Sequence, residues 1–118
     1  MVWKLVVHPE VRSWLHGLRS ERNTIRQVSE AIQFVMEGGP GIGRPIVETI
    51  SHTSLPNLKE IRPGSSGRSE IRILFAFDPE RRMLLLIGGD KAGNWRTWYR
   101  KAIPVAEARY ADLMGDNE

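Results

Sequence analysis

The sequence contains no cysteine. That absence removes disulfides, thiolate metal sites and cysteine nucleophiles together, so stability has to come from packing. No apolar run approaches the roughly 20 residues a membrane helix needs, and Met1 to Lys4 do not read as the start of a secretory leader. A cytoplasmic home of bacterial type, with no membrane partner, is the expectation. Histidine is scarce, three residues in 118, and none follows His52. There is no His-Glu-x-x-His, no carboxylate cluster and no cysteine pair, so no metal is expected. Gly38 to Gly43 is glycine-rich but lacks the Gly-Lys-Ser/Thr ending of a phosphate-binding loop, so no cofactor is expected either. Nothing resembling a repeat or linker divides the chain. A length of 118 residues suits one core, and a single domain over residues 1–118 follows.

What is present is a globular composition, 41% hydrophobic and 26% charged, with a net charge of +3. The charge is unevenly placed. Residues 59 to 101 hold ten Lys/Arg against five Asp/Glu, and the remainder holds seven against nine. A basic strand-rich region attracts phosphate backbones or an acidic partner, although a solvated basic face is the plainer alternative.

Val2 to Val7 is a short apolar run that predicts a first strand, and Pro9 fits the first turn of a helix. Val11, Trp14, Leu15 and Leu18 recur at helical spacing; Ile25, Val28, Ile32, Val35 and Met36 do so after Ser20, a potential N-cap. Gly38-Gly39-Pro40 ends this second helix. Pro45 to Ile50 is a short extended piece. From Leu58 to Asp90 three consecutive strands follow. In Glu70 to Phe77, Ile71, Ile73, Phe75 and Phe77 share one face and are expected to lie on the helices, with Arg72, Leu74 and Ala76 on a more open face. Asp78 to Arg81 has turn chemistry. Met83 to Ile87 is a nearly continuous apolar strand ending at Gly88-Gly89. Trp95, Trp98, Tyr99 and Ala102 are spaced as a helix, and Pro104 is expected to restart a final one carrying Ala106, Tyr110 and Leu113.

The ordered motifs Lys59-Glu60-Ile61-Arg62, Gly67-Arg68 leading to Ile71-Arg72-Ile73, Phe77-Asp78-Pro79, Gly89-Asp90-Lys91, and Trp98-Tyr99 followed by Ile103-Pro104 resemble the phage Gp49-like, HigB-type branch of the RelE/ParE toxins. The resemblance implies an α+β fold: a small antiparallel sheet, an N-terminal helical hairpin on one face, a C-terminal helix, and a concave face left for RNA. It also implies a bacterial or phage-derived toxin of a type II toxin–antitoxin system, a metal-independent endoribonuclease that cuts messenger RNA on the ribosome. In that chemistry a ribose 2′-hydroxyl attacks the adjacent phosphate, leaving a 2′,3′-cyclic phosphate and a free 5′-hydroxyl. The implied partners are a helix-turn-helix antitoxin, messenger RNA and the ribosome, with operator DNA reached only through the antitoxin.

Carried over residue by residue, Arg62 and Arg72 match phosphate-binding arginines. Glu60 is either a base or the ion-pair partner that holds Arg62. Lys91 stabilises charge or assists the leaving group, and Tyr99 stacks on a base or donates a proton. These five are the catalytic candidates. Arg68, Lys59 and Arg96 are the further RNA-binding candidates, Arg68 in a turn able to form an anion nest, and Lys59 on the strand face opposite Glu60 and Arg62. Core packing is the expected role for at least two of Trp95, Trp98 and Tyr99. His8 and His16 read as surface or capping residues. Some RelE relatives carry a catalytic histidine near the C-terminus; this chain has none there, which leaves the general base open. Two other readings stand beside the nuclease: a ParE-like gyrase inhibitor on the same fold, and a non-catalytic module that binds antitoxin or RNA.

Overall fold

The computed structural model describes residues 3–64 and 69–115. Its elements are β1 (Lys4–Val7), α1 (Pro9–Gly17), α2 (Arg22–Gly38), a short 3-10 turn (Gly39–Gly41), β2 (Val47–Thr49), β3 (Lys59–Ile61), β4 (Ile71–Phe77), β5 (Arg82–Asp90) and α3 (Trp95–Gly115). The strands form one five-stranded sheet in the order β1-β5-β4-β3-β2. β2 to β5 run as an antiparallel meander, and β1 joins β5 in parallel. The α1–α2 hairpin between β1 and β2 makes that parallel edge possible, because a chain returning to the same end of the sheet needs a long crossover.

Both faces of the sheet are covered. Ile71, Ile73, Phe75, Met83 and Leu85 pack with Val11, Val28, Ile32 and Val35 of the hairpin. Leu74, Ala76, Leu84 and Leu86 pack with Ala102 and Ala106 of α3. The expected Ile/Phe face thus lies on the hairpin, but the face of Arg72, Leu74 and Ala76 is not broadly open: α3 lies across it. The apolar run of β5 already carried that signal, since a strand buried on both sides reads as continuous hydrophobicity rather than alternation. Leu74 pairs with Ile87 and Phe75 with Leu85, so the register shifts at Leu86. This irregularity lets both Leu86 and Ile87 join the α3 side and restores alternation beyond them.

Three local expectations need correction. Helix α2 is capped at Glu21 rather than Ser20, without a side-chain hydrogen bond. α3 is one continuous helix with Pro104 inside it, not two. β5 does not stop before Gly88-Gly89 but runs through them to Asp90. The reason lies in the tryptophans. A Cβ on Gly88 would sit 2.3 Å from the Trp14 ring on one face, and one on Gly89 would sit 2.4 Å from Trp98 Nε1 on the other. The dipeptide is sheet that has given up its side chains so that an indole can lie against each side. Gly39, at φ +71°, offers Trp3 a comparable seat, with Nε1 2.6 Å from where its Cβ would be.

Candidate functional site

β2 and β3 bring Glu48 and Glu60 directly opposite each other, on the sheet face that α3 covers. Like charges in facing positions repel, and three cations and donors answer them. Arg62 continues β3, its N–H donating to the Ile46 carbonyl at 2.7 Å, and its guanidinium reaches Glu60 at 3.2 Å and Glu48 at 3.8 Å. Arg44 grips Glu48 with two hydrogen bonds of 2.6 and 3.1 Å, which holds the Glu48 carboxyl below its ordinary range. Tyr99 completes the set by donating its phenol hydrogen to Glu60 at 2.5 Å. Glu60 is 2% exposed, so its two oxygens are committed to Arg62 and Tyr99 rather than presented to solvent.

Tyr99 is the hub. Burial, then the hydrogen bond to Glu60 and that carboxylate's charge, push its phenol well above the ordinary tyrosine range, although nearby Arg72 and Arg62 pull it down. It is therefore a proton donor at neutral pH, not a base. The Lys91 ammonium lies 5.8 Å from its ring centroid, on a turn held by the Lys91 N–H donating to Glu70 and by Asp90 accepting from Glu70 and Ala92 N–H groups at 2.9 Å. Arg72 donates to the Ile71 carbonyl at 2.8 Å, while its Nε is buried with no partner among the described residues.

Four of the sequence-expected residues, Glu60, Arg62, Arg72 and Lys91, thus gather around the phenol of a fifth, Tyr99. Lys59 does not join them. It projects to the hairpin side, donating to the Pro40 carbonyl at 3.2 Å with its ammonium 5.7 Å from the Phe77 ring, as strand alternation requires. Arg68 lies outside the described residues. Arg96 is exposed, its guanidinium 5.2 Å from the Trp95 ring. Trp98 and Tyr99 pack on the core around α3, whereas Trp95 does not.

Beside this cluster a groove of about 620 Å³ runs between α3 and the β2 edge. Trp95, Arg96, Tyr99, Arg100, Ile103, Pro104 and Glu107 form one wall; Glu48 to His52 form the other, with Glu60 at the floor. Glu107 closes one end by accepting from the Thr53 hydroxyl at 2.7 Å and the Ser54 N–H at 2.8 Å, contacts that hold its carboxyl below the ordinary range. Sequence reasoning missed Glu48, His52 and Arg100. Arg100 was legible as the i+4 neighbour of Arg96 on a helix. Glu48 was not, because its place depends on the β2–β3 register. His52, which adopts φ 58°, enters the groove through that turn.

The family comparisons agree with this architecture. The profile of the phage-derived protein Gp49-like family (DUF891) matches residues 13–111. The chain belongs to the Gp49-like family. Two Mycobacterium tuberculosis proteins are similar to this Gp49-like chain. "Putative toxin HigB2" is 44% identical over 108 residues, 92% of this chain and 53% of that protein. "Putative toxin HigB3" is 43% identical over 105 residues, 89% of this chain and 88% of that protein. The chain spans about half the length of the first relative and most of the second. A free-state structure of a mutant E. coli toxin RelE superposes with a TM-score of 0.63, covering 88% of this chain and 97% of that one at 16% identity. This Gp49-like chain thus shares the RelE fold. No helix among the described residues is long and apolar enough to cross a membrane.

Proposed function

We propose that this Gp49-like protein is the HigB-type toxin of a toxin–antitoxin pair and cleaves messenger RNA without a metal, on the ribosome. The observation that carries the reading is the Glu60–Arg62–Tyr99 cluster, flanked by Arg72 and Lys91 and opening on a groove. In-line attack of a 2′-oxygen on phosphorus breaks the bond to the 5′-oxygen and places extra negative charge on the phosphorane. Arg62, Arg72 and Lys91 answer that charge. Tyr99, kept protonated, carries a single hydrogen that rests on Glu60 and must turn from it to protonate the leaving 5′-oxygen. Glu60, buried and doubly engaged, acts as the positioning residue that aims Arg62 and Tyr99, in preference to acting as the base. His52 is the groove-lining imidazole suited to take the 2′ proton.

Purified protein added to a translating extract is expected to generate new 5′-hydroxyl ends in the message. Arg62→Ala and Arg72→Ala should each lower cleavage roughly 10²–10³-fold, the scale for loss of one donor to a developing oxyanion. Unaltered message with gyrase-dependent DNA breaks would instead establish the gyrase reading. The partner is a small helix-turn-helix antitoxin encoded beside the toxin, through which alone operator DNA is reached. Co-expression of that neighbour should abolish cleavage.

A further inference from the structure

Four tryptophans are present, and three of them have a glycine seat: Trp3 on Gly39, Trp14 on Gly88 and Trp98 on Gly89. Trp95 has none. It is 54% exposed, among the most exposed large hydrophobic residues described, and it stands at the first position of α3 on the groove wall. An indole with no structural seat, in a groove one helical turn from Tyr99, is unexplained by packing.

The groove has a distinct electrostatic layout. Its carboxylates, Glu48, Glu60 and Glu107, are buried or half-buried, whereas its arginines, Arg96 and Arg100, are exposed. Glu48 and Glu60 are already answered by Arg44 and Arg62, so the exposed positive charge that draws a strand's phosphates along the groove is that of Arg96 and Arg100 on the rim. A nucleobase is neutral, flat and edged with N–H donors that a free carbonyl accepts. Pro104 supplies one such carbonyl: lacking an N–H, it leaves the Arg100 oxygen without its helical donor on this same stripe. From Trp95 to Glu107 the wall is roughly 18 Å long at 1.5 Å per residue.

We infer that the groove is a nucleobase subsite for single-stranded RNA: one base stacks on Trp95 and turns its edge inward, while its phosphates lie on Arg96 and Arg100. The inference rests on the nuclease reading above. It adds the residue that fixes where the strand sits relative to Tyr99. Stacking on an aromatic is tolerant of base identity, so Trp95 sets register and affinity rather than sequence preference.

The test uses an uncleavable 2′-O-methyl RNA hexamer, with binding followed by tryptophan fluorescence and by a label on the RNA. Trp95→Ala should weaken binding roughly 5- to 100-fold, the scale of one lost base stack, and Trp95→Phe much less. An abasic residue at the stacked position should weaken the wild type to a similar degree yet leave Trp95→Ala unaffected. The unfolding midpoint of Trp95→Ala should match the wild type, as befits an unseated indole. Equal RNA binding by wild type and Trp95→Ala overturns this inference alone. So does a loss that persists against every abasic strand, or one confined to antitoxin binding. A wild-type protein that binds no hexamer overturns this inference alone, because the nuclease reading places the message on the ribosome and stands or falls with the new 5′-hydroxyl ends in the extract.

Discussion

At the residue scale, the energetics centre on one buried carboxylate. Glu60 keeps its charge out of water only because Arg62 and Tyr99 both donate to it. Removing one partner of a buried group leaves the other unsatisfied, which costs about 1–3 kcal/mol for a lost donor. Tyr99→Phe should therefore lower stability by about that amount in urea unfolding, and lower kcat more than KM, since the phenol is assigned to the leaving group. Arg62→Ala goes further, because it also strips the cation between facing Glu48 and Glu60. Making the same change together with Glu60→Gln should return part of the lost stability, as the repulsion then disappears. A double variant no more stable than Arg62→Ala would show that the arginine does not act by reconciling two carboxylates. Arg62→Lys should recover little, since a point charge cannot reach both.

At the element scale, caps and seats decide. His8 caps α1 through Nδ1, which accepts from the Glu10 N–H at 3.2 Å. Burial, then the charge of Arg109, lowers its pKa below 6.5, against the opposing pull of Glu10 and Asp112. The unfolded chain binds the proton more tightly, so the stabilisation is complete above pH 6.5 and is lost as pH falls through the lowered native value. Urea midpoints at pH 7.5 and pH 5.5 should differ less for His8→Asn than for the wild type. Within β5, Gly88→Ala and Gly89→Ala each force a methyl group into an indole, and each should cost about 1–3 kcal/mol, the range for an overfilled core. Pro104→Ala, by contrast, restores a missing helical hydrogen bond and should raise the unfolding midpoint.

At the scale of the whole molecule, what was legible in the sequence was whatever depends on local pattern. The strand alternation of β4 separated Arg72 from Ile71 and Ile73, and the spacing in β3 separated Glu60 and Arg62 from Lys59, as the site requires. The path of α3 was not legible, because a proline inside a helix reads as a boundary until packing on Leu74 and Leu84 overrides it. Nor was the β2–β3 register, which alone sets Glu48 against Glu60. Trp95 and Trp98 look alike in sequence; only the position of Gly89 tells them apart. That pairing of indoles with glycines has one more consequence. Gly88 and Gly89 place nothing but backbone between Trp14 and Trp98, so the two apolar clusters meet across the sheet without sharing a side chain there. Repacking on the hairpin side that leaves the strand in place is therefore insulated from the groove, and a chain built this way is free to remodel its outer helices while the face under α3 stays still.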